Sequence, residues 1–434
     1  MIVALLRAAY AIVSLIVPKY GKRPWPTHHE DPLHMRTSER IYLGYKYYYQ
    51  LFLLPEAGAV TDNLSGIDTV KFIVPDKMII DHQLTLASGG DLMPYAPIRM
   101  NVCTDLWEEC GPWFFNADII TANLETPIVG DRAPSYVPEV MLSDMYFNGN
   151  SEMFEIFSGN GEFRGYDLLS IANNHSFDQG EAGLLATMNF LDAKHIKFAG
   201  AARSAEEIMP TFIEKNGIKI AFIAATFSLN AEKLPEGKEY LVNLVDLNDP
   251  DPDISLLISQ AHSARKAGAD FIVFMLHMGC AYQAYPAETV RKNTHKLLRM
   301  TSADIVLGNH AHHPQPIEKL RIFDQESSSH KDALIIYAHG DFIAYDIYKW
   351  CHLPLLAKIS LCKGSLNGKP YTCITDVRFK LYYMYAEIKN GTVESLKLLD
   401  YEKIKENIPE YFDQSTKAEL KEIESLVDII KPEK

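Results

Sequence analysis

The 434-residue sequence has no excess of positive charge, no paired cysteines, no internal repeat, and no apolar run long enough to cross a bilayer. Lys and Arg total 42 against 56 Asp and Glu, a formal net charge of −14. A nucleic-acid backbone demands a basic surface, so this balance argues against such a partner. It leaves room for an anionic substrate, because bound cations reverse the local sign inside a cleft. The six cysteines (Cys103, Cys110, Cys280, Cys351, Cys362 and Cys373) form no C-x-x-C pair and no zinc-ribbon spacing. A disulfide framework or a structural thiolate cluster is therefore not expected, and they read as ordinary reduced or buried thiols.

Residues 2–17 are mostly apolar, but the run is shorter than the roughly 20 residues of a spanning helix and contains Arg7. Its cations, Lys19, Lys22 and Arg23, follow the run, and no small-residue cleavage site ends it. A secretory signal has the opposite order. On a helix Arg7, Tyr10 and Ser14 share one face and leave a broad apolar face opposite. That pattern suits a helix docked on its own protein or one lying on a membrane. We therefore expect a cytoplasmic or peripherally membrane-associated protein without a cleavable leader.

What is present is an ordinary globular composition, 47% hydrophobic and 23% charged, sufficient for a real core. Residues 1–81 read as an N-terminal extension, irregular after Pro24, whose Tyr-rich stretch Ile41–Leu54 is a packing surface rather than a ligand stack. Residues 82–400 form the main domain, and residues 401–434 a helical tail.

Within the main domain, short apolar runs end abruptly in polar loops. Gln83–Ala87 leads to Asp91, Asp118–Ala122 to Asn123 and Glu125, and Leu168–Ala172 to Asn173, Asn174 and His175. Phe271–Leu276 leads to His277, Asp304–Leu307 to His310 and His312, and Leu334–Ala338 to His339 and Asp341. Continuous apolar runs of this length suggest strands covered on both faces. Helix-like segments alternate with them (Gly183–Lys194, Ile254–Ala267, Ala287–Met300), which indicates an α/β architecture. Asn216-Gly217 joins two strands as a hairpin, and Asn390-Gly391 supplies another turn. Strands at Leu353–Cys362, Val377–Ile388 and Val393–Leu399 are expected to complete a second sheet, with a final helix over Ser415–Ile430.

Open α/β folds place ligands outside the carboxyl ends of their strands. A single His, Asn or Asp there is ordinary loop chemistry; six junctions that each deliver one are not. Carboxylate, amide and imidazole donors together suit Mn, Fe, Zn or Mg, with His favouring transition metals.

The motifs resemble those of the CapA, or poly-γ-glutamate capsule-synthesis, family. They are Gly90-Asp-Leu-Met93, Asn123-Leu-Glu-Thr-Pro127, Ala172-Asn-Asn-His-Ser-Phe-Asp178, His277-Met-Gly279, Ala303-Asp-Ile-Val-Leu-Gly-Asn-His-Ala-His312 and Tyr337-Ala-His-Gly-Asp-Phe342. They occur in the family's order between about Thr85 and Tyr345. The resemblance implies a calcineurin-like metallophosphoesterase fold, a four-layer sandwich of two mixed β-sheets flanked by helices, holding two divalent metal ions. By position, Asp91 resembles a ligand of one metal, completed by His312, and Glu125 a bridging carboxylate. Asn174, His277 and His310 resemble the ligands of the other metal. His175 resembles the histidine that protonates the leaving group, with Asp178 orienting it.

Three departures stand out. Met93 replaces the His of ordinary phosphoesterases, Cys280-Ala281 stands where the family commonly has a Glu, and Gly340-Asp-Phe342 replaces Gly-Asn-Phe. The resemblance implies a metal-dependent hydrolase acting on a phosphoester or on a bond in an anionic polymer, in contact with capsule-synthesis machinery. The alternative is a non-catalytic accessory or binding subunit for synthesis or export of such a polymer. A metal-dependent amidohydrolase barrel is disfavoured by Ala172-Asn-Asn-His175 and by the strand-rich C-terminal half.

Overall fold

The apolar runs form strands because both of their faces are covered. In Ile218–Thr226, the side chains of Ile220, Phe222 and Ala224 enter one core and those of Ala221, Ile223 and Ala225 another. This period-2 division across two cores is the mark of an inner strand in a layered α/β fold. The computed structural model describes residues 2–16, 23–25, 30–66, 70–130, 132–140, 145–324 and 329–431.

Two mixed sheets result. One runs in the order β15 (Thr392–Asp400), β14 (Lys369–Lys389), β13 (Leu355–Leu366), β2 (Met78–Leu92), β3 (Ile119–Leu124), β4 (Leu168–Ser170), β5 (Lys197–Ala199). The other runs β1 (Leu64–Ser65), β10 (Ile317–Asp324), β11 (Ser329–Ile336), β9 (Ile305–Asn309), β8 (Phe271–His277), β7 (Ile218–Thr226), β6 (Thr211–Lys215). A short strand, β12 (Asp341–Ile343), pairs in parallel with the end of β2. Strands β2 to β5 are parallel to one another, as are β7, β8, β9 and β11.

Helix α1 (Ile2–Ile16) and α2 (Thr37–Tyr48) precede the sheets, and α3 (Gly111–Phe114) is a single turn. Helices α4 (Ser151–Phe157) and α5 (Gly180–Ala193) pack on the first sheet through Met153, Phe154, Leu184, Met188 and Leu191. Helices α6 (Ser255–Lys266) and α7 (Glu288–Thr301) cover the second through Leu257, Ala261, Val290 and Leu297. The chain closes with α8 (Tyr401–Glu406) and α9 (Gln414–Ile430), whose Ile423, Leu426, Val427 and Ile430 are buried in the main core.

The C-terminal strands complete one of the two sheets, as their sequence suggested, and that sheet is the one that holds β2. β13 lies antiparallel to β2 from Ala357 opposite Ser88 to Leu366 opposite Met78, so these strands widen the first sheet. The expected break between Cys362 and Val377 is absent. β13 and β14 form one long hairpin through Asn367 (φ 54°) and Gly368 (φ 80°), the left-handed pair that a tight hairpin turn requires. The tip escapes an apolar-pattern reading because Lys369 and Pro370 there face solvent.

The N-terminal extension is bound into this frame. β1 pairs with β10, and Tyr42, Tyr45, Tyr47 and Tyr48 of α2 are buried with Tyr10 of α1 and with Tyr282 and Tyr348 of the main domain. Tyr47 stacks on Tyr348 with ring centres 5.6 Å apart. The side of α1 that carries Tyr10 faces the protein, and Ile2, Leu5, Ile12 and Leu15 are exposed. Among the described residues no helix is long and apolar enough to cross a membrane.

Candidate metal centre

Parallel strands align their carboxyl ends, so the residues that finish them converge. β2 ends on Asp91 and Leu92, β3 is followed by Glu125, β8 ends on His277, and the loop after β9 carries His310 and His312. One approach is unusually close. A Cβ on Gly90 would stand 1.8 Å from the Gly340 carbonyl oxygen, so only glycine lets β12 dock there and set Asp341 opposite Asp91. Asp91 donates its backbone N–H to that same oxygen at 3.1 Å.

Donor atoms of Asp91, Glu125 and His277 lie within 4.8 Å of one another, and so do those of Asp91, His312 and Asp341. The carboxylate common to both groups is Asp91. The rings of His277 and His310 are 4.9 Å apart and those of His310 and His312 5.8 Å. Asn123 donates to Asp91 Oδ1 at 2.7 Å, and His312 Nδ1 is 2.9 Å from Asp341 Oδ1. His310 and His312 have φ of 93° and 63°, a region that costs non-glycine residues about 1–3 kcal/mol each and clusters at functional sites.

Buried polar atoms are nearly always hydrogen-bonded, and here many are not. Asp91 Oδ2, both Glu125 oxygens, Asn174 Oδ1, His277 Nε2, both His310 nitrogens and Asp341 Oδ2 are buried without a hydrogen-bond partner among the described residues. Asn174 turns its Nδ2 to Asn230 at 3.1 Å, which leaves the amide oxygen free.

Burial, then the charge of Asp341, raises the Asp91 carboxyl, and burial, then Asp91, raises Glu125 well above its ordinary range. Burial and the neighbouring histidines hold His277 well below its ordinary range, and burial lowers His310. His312 differs: burial opposes its charge, but Asp341 and Asp91 outweigh it and lift it to about 9. Crowded buried carboxylates beside neutral imidazoles repel one another until a cation joins them. The donor set, free of thiolate, fits divalent ions.

His175 stands beside this cluster. Its ring stacks on Phe147 at 3.7 Å, and its Nδ1 meets Asp178. Of the residues expected from the sequence, Asp91, Glu125, His277 and His312 stand in the two donor groups, His310 lies beside His277 and His312, and Asn174, His175 and Asp178 follow β4 in its loop. Asp341 was visible in the sequence only as a strand-end residue and a departure from Gly-Asn-Phe. Met93 is buried in the core, and the carboxylate of Asp341 stands with Asp91 and His312 instead. Glu30 carried no signal at all. Where the family resemblance expects a Glu, Ala281 presents only its backbone N–H, and Glu30 Oε2 accepts it at 2.6 Å.

Comparisons with known proteins identify the family. The capsule biosynthesis protein CapA of Bacillus anthracis is 23% identical over 301 residues, covering 68% of this chain and 68% of that protein. The PGA biosynthesis protein CapA of Bacillus subtilis (strain 168) is 23% identical over 281 residues, 61% of this chain and 69% of that one. Among solved structures, the calcineurin-like phosphoesterase YfkN from Bacillus subtilis is 15% identical, covers 79% of this chain and 99% of its own, and superposes with a TM-score of 0.36. The family model of the bacterial capsule synthesis protein PGA_cap matches residues 85–346, the stretch that carries every motif residue from Asp91 to Asp341. The chain belongs to that bacterial capsule synthesis family.

Proposed function

We propose that this chain is a divalent-metal-dependent hydrolase of the metallophosphoesterase type, acting on a phosphoester or on a bond in an anionic polymer connected with capsule synthesis. The observation that carries the reading is that buried donor atoms of Asp91, Glu125 and His277, and of Asp91, His312 and Asp341, lie within 4.8 Å of one another, with oxygens of Asp91, Glu125 and Asp341 and a nitrogen of His277 left unpartnered. Two divalent ions held there would activate water and neutralise negative charge developing on the substrate. Mn, Fe or Zn suits the imidazole-rich set, and Mg suits its oxygens.

The protein's own groups supply the rest. Asp91 and Glu125 contribute negative charge that the ions offset, and neutral His277 and His310 present lone pairs. Asp341 orients His312 through its Nδ1, as carboxylates commonly do for metal-binding histidines. His175 delivers a proton to the leaving oxygen, its ring fixed by Phe147 and its Nδ1 directed to Asp178, so that Nε2 is the working atom. Mn-supplemented hydrolysis of a phosphodiester and a phosphomonoester by the native chain and by His277→Ala tests this. Turnover by the native chain that His277→Ala abolishes supports it; no turnover despite bound metal overturns it.

A second reading, an accessory that binds or helps export an anionic capsule polymer, is favoured by how closed the site is. Asp91, Glu125, His277, His310 and His312 are all 6% exposed or less, leaving little room for a polymer at the ions. Polymer binding that survives His175→Ala, without turnover, would favour this reading. In either case the outward apolar face of α1, followed in sequence by Lys19, Lys22 and Arg23, suits peripheral contact with an anionic lipid surface.

A further inference from the structure

Glu30 belongs to the segment ahead of α2, far in sequence from the strand ends, yet its carboxylate reaches His310, whose ring lies beside those of His277 and His312. Its side chain is 4% exposed. Oε2, which accepts the Ala281 N–H, also lies 3.4 Å from His310 Nε2, a ring nitrogen with no hydrogen-bond partner. Oε1 is held by the ammonium of Lys46 from α2. Lys46 is fully buried and also donates to the Ala281 carbonyl at 2.8 Å. One ion pair from the N-terminal segment therefore occupies both backbone groups of Ala281. The next residue, Tyr282, lies against His312 with ring centres 5.4 Å apart.

A buried ion pair is a poor device for stability alone, since an apolar pair of similar volume often serves as well or better. Its geometry here has another use. Two donors that share an ion at about 2.1 Å in a tetrahedral arrangement stand roughly 3.4 Å apart. That is the separation of Glu30 Oε2 and His310 Nε2, and His277 Nε2 and Glu125 Oε1 stand at a similar 3.5 Å. A carboxylate oxygen has two lone-pair directions, so Oε2 can keep the Ala281 N–H and still face the space beside His310.

We propose that Glu30 is a further carboxylate of the metal centre, carried in by the N-terminal segment and held by Lys46, so that the ion beside His310 binds tightly only while that segment is docked. This rests on the reading of the strand ends as a metal site. The extension then completes the centre rather than merely covering it.

The test is Mn(II) titration of the full chain, by calorimetry and by counting bound ions after dialysis. It compares the native protein with Glu30→Gln and with the charge-balanced Glu30→Gln/Lys46→Met. Both variants are expected to weaken one Mn(II) site by about 10–100-fold, the size of effect that groups supporting a metal ligand exert. The metal-free double variant is expected to melt close to the native chain. Native stoichiometry and affinity in a folded variant would overturn the role of Glu30 while leaving the centre intact. If the double variant does not fold, Glu30→Gln alone decides, since its amide oxygen still accepts the Ala281 N–H. Absence of Mn(II) binding by the native chain would sink the metal reading itself, and this inference with it.

Discussion

Nδ1 of His175 lies 2.7 Å from Oδ2 of Asp178, and the same carboxylate oxygen accepts the backbone N–H of Phe147 at 2.6 Å. The ring that stacks on His175 is thus tied to the carboxylate that orients it. In a hydrolase, His175→Ala is expected to lower kcat by about 10²–10⁴-fold, and Asp178→Asn to cause a smaller loss, because the imidazole remains but is less well directed. Metal content should not change in either. Steady-state turnover with metal analysis of the same samples checks this, and loss of metal in His175→Ala would place that residue among the ligands instead.

Bound metal should stabilise the fold, because the unfolded chain has no such cluster. At a free metal concentration of about 100 times Kd the gain is about 2.7 kcal/mol, visible as a rise in Tm on adding Mn(II) to chelator-treated protein. His277→Ala should lose most of that rise. A chelator-insensitive melting curve would count against a metal centre at these residues.

Asp341 is placed to matter twice, in a donor group with Asp91 and His312 and as the partner of His312 Nδ1. Asp341→Asn should weaken metal binding by about 10–100-fold with little effect on metal-free stability, since it also removes a carboxylate from the crowded pair with Asp91. Competition against a metal indicator measures the first and thermal melting the second.

A separate prediction concerns acid stability. Glu318 on β10 is buried, and although burial opposes its charge, hydrogen bonds from His295, Arg291 and Tyr337 bring it down from 4.5 to about 2. A depressed carboxyl stabilises the fold above its unfolded value and loses that contribution as pH falls through the folded one. Glu318→Gln should therefore cost about 2 kcal/mol near neutral pH. The difference from the native chain should shrink as the pH falls from 4.5 towards 2. Urea melts across that range read it directly.

Gly90→Ala should be among the more damaging single-methyl additions in the chain. The new Cβ would meet the Gly340 carbonyl, which is backbone and cannot swing aside. A loss of about 3 kcal/mol or more is expected from such overpacking, together with weaker metal binding as β12 and Asp341 shift. Urea denaturation and metal titration of the variant check both.

Much of the site was readable locally. A strand that ends in His277, or a loop that carries His310 and His312, announces itself because apolar periodicity stops where polar donors begin, and parallel packing brings such ends together. The helices α5, α6 and α7 and the Asn216-Gly217 hairpin were readable for the same reason, each being set by neighbours a few residues away. The sheet that β13 to β15 would join was not, because strand edges compete for partners and the choice rests on pairing with β2 more than 250 residues earlier. Asp341 needed β12 to dock at Gly90, and Glu30 needed α2 to pack its tyrosines against Tyr282 and Tyr348. The sequence by itself determined that carboxylate, amide and imidazole donors able to hold a metal follow successive strands. Only the tertiary structure decided that Asp341 and a carboxylate from the N-terminal segment stand with them, because contacts made by burying distant surfaces leave no local pattern in the chain.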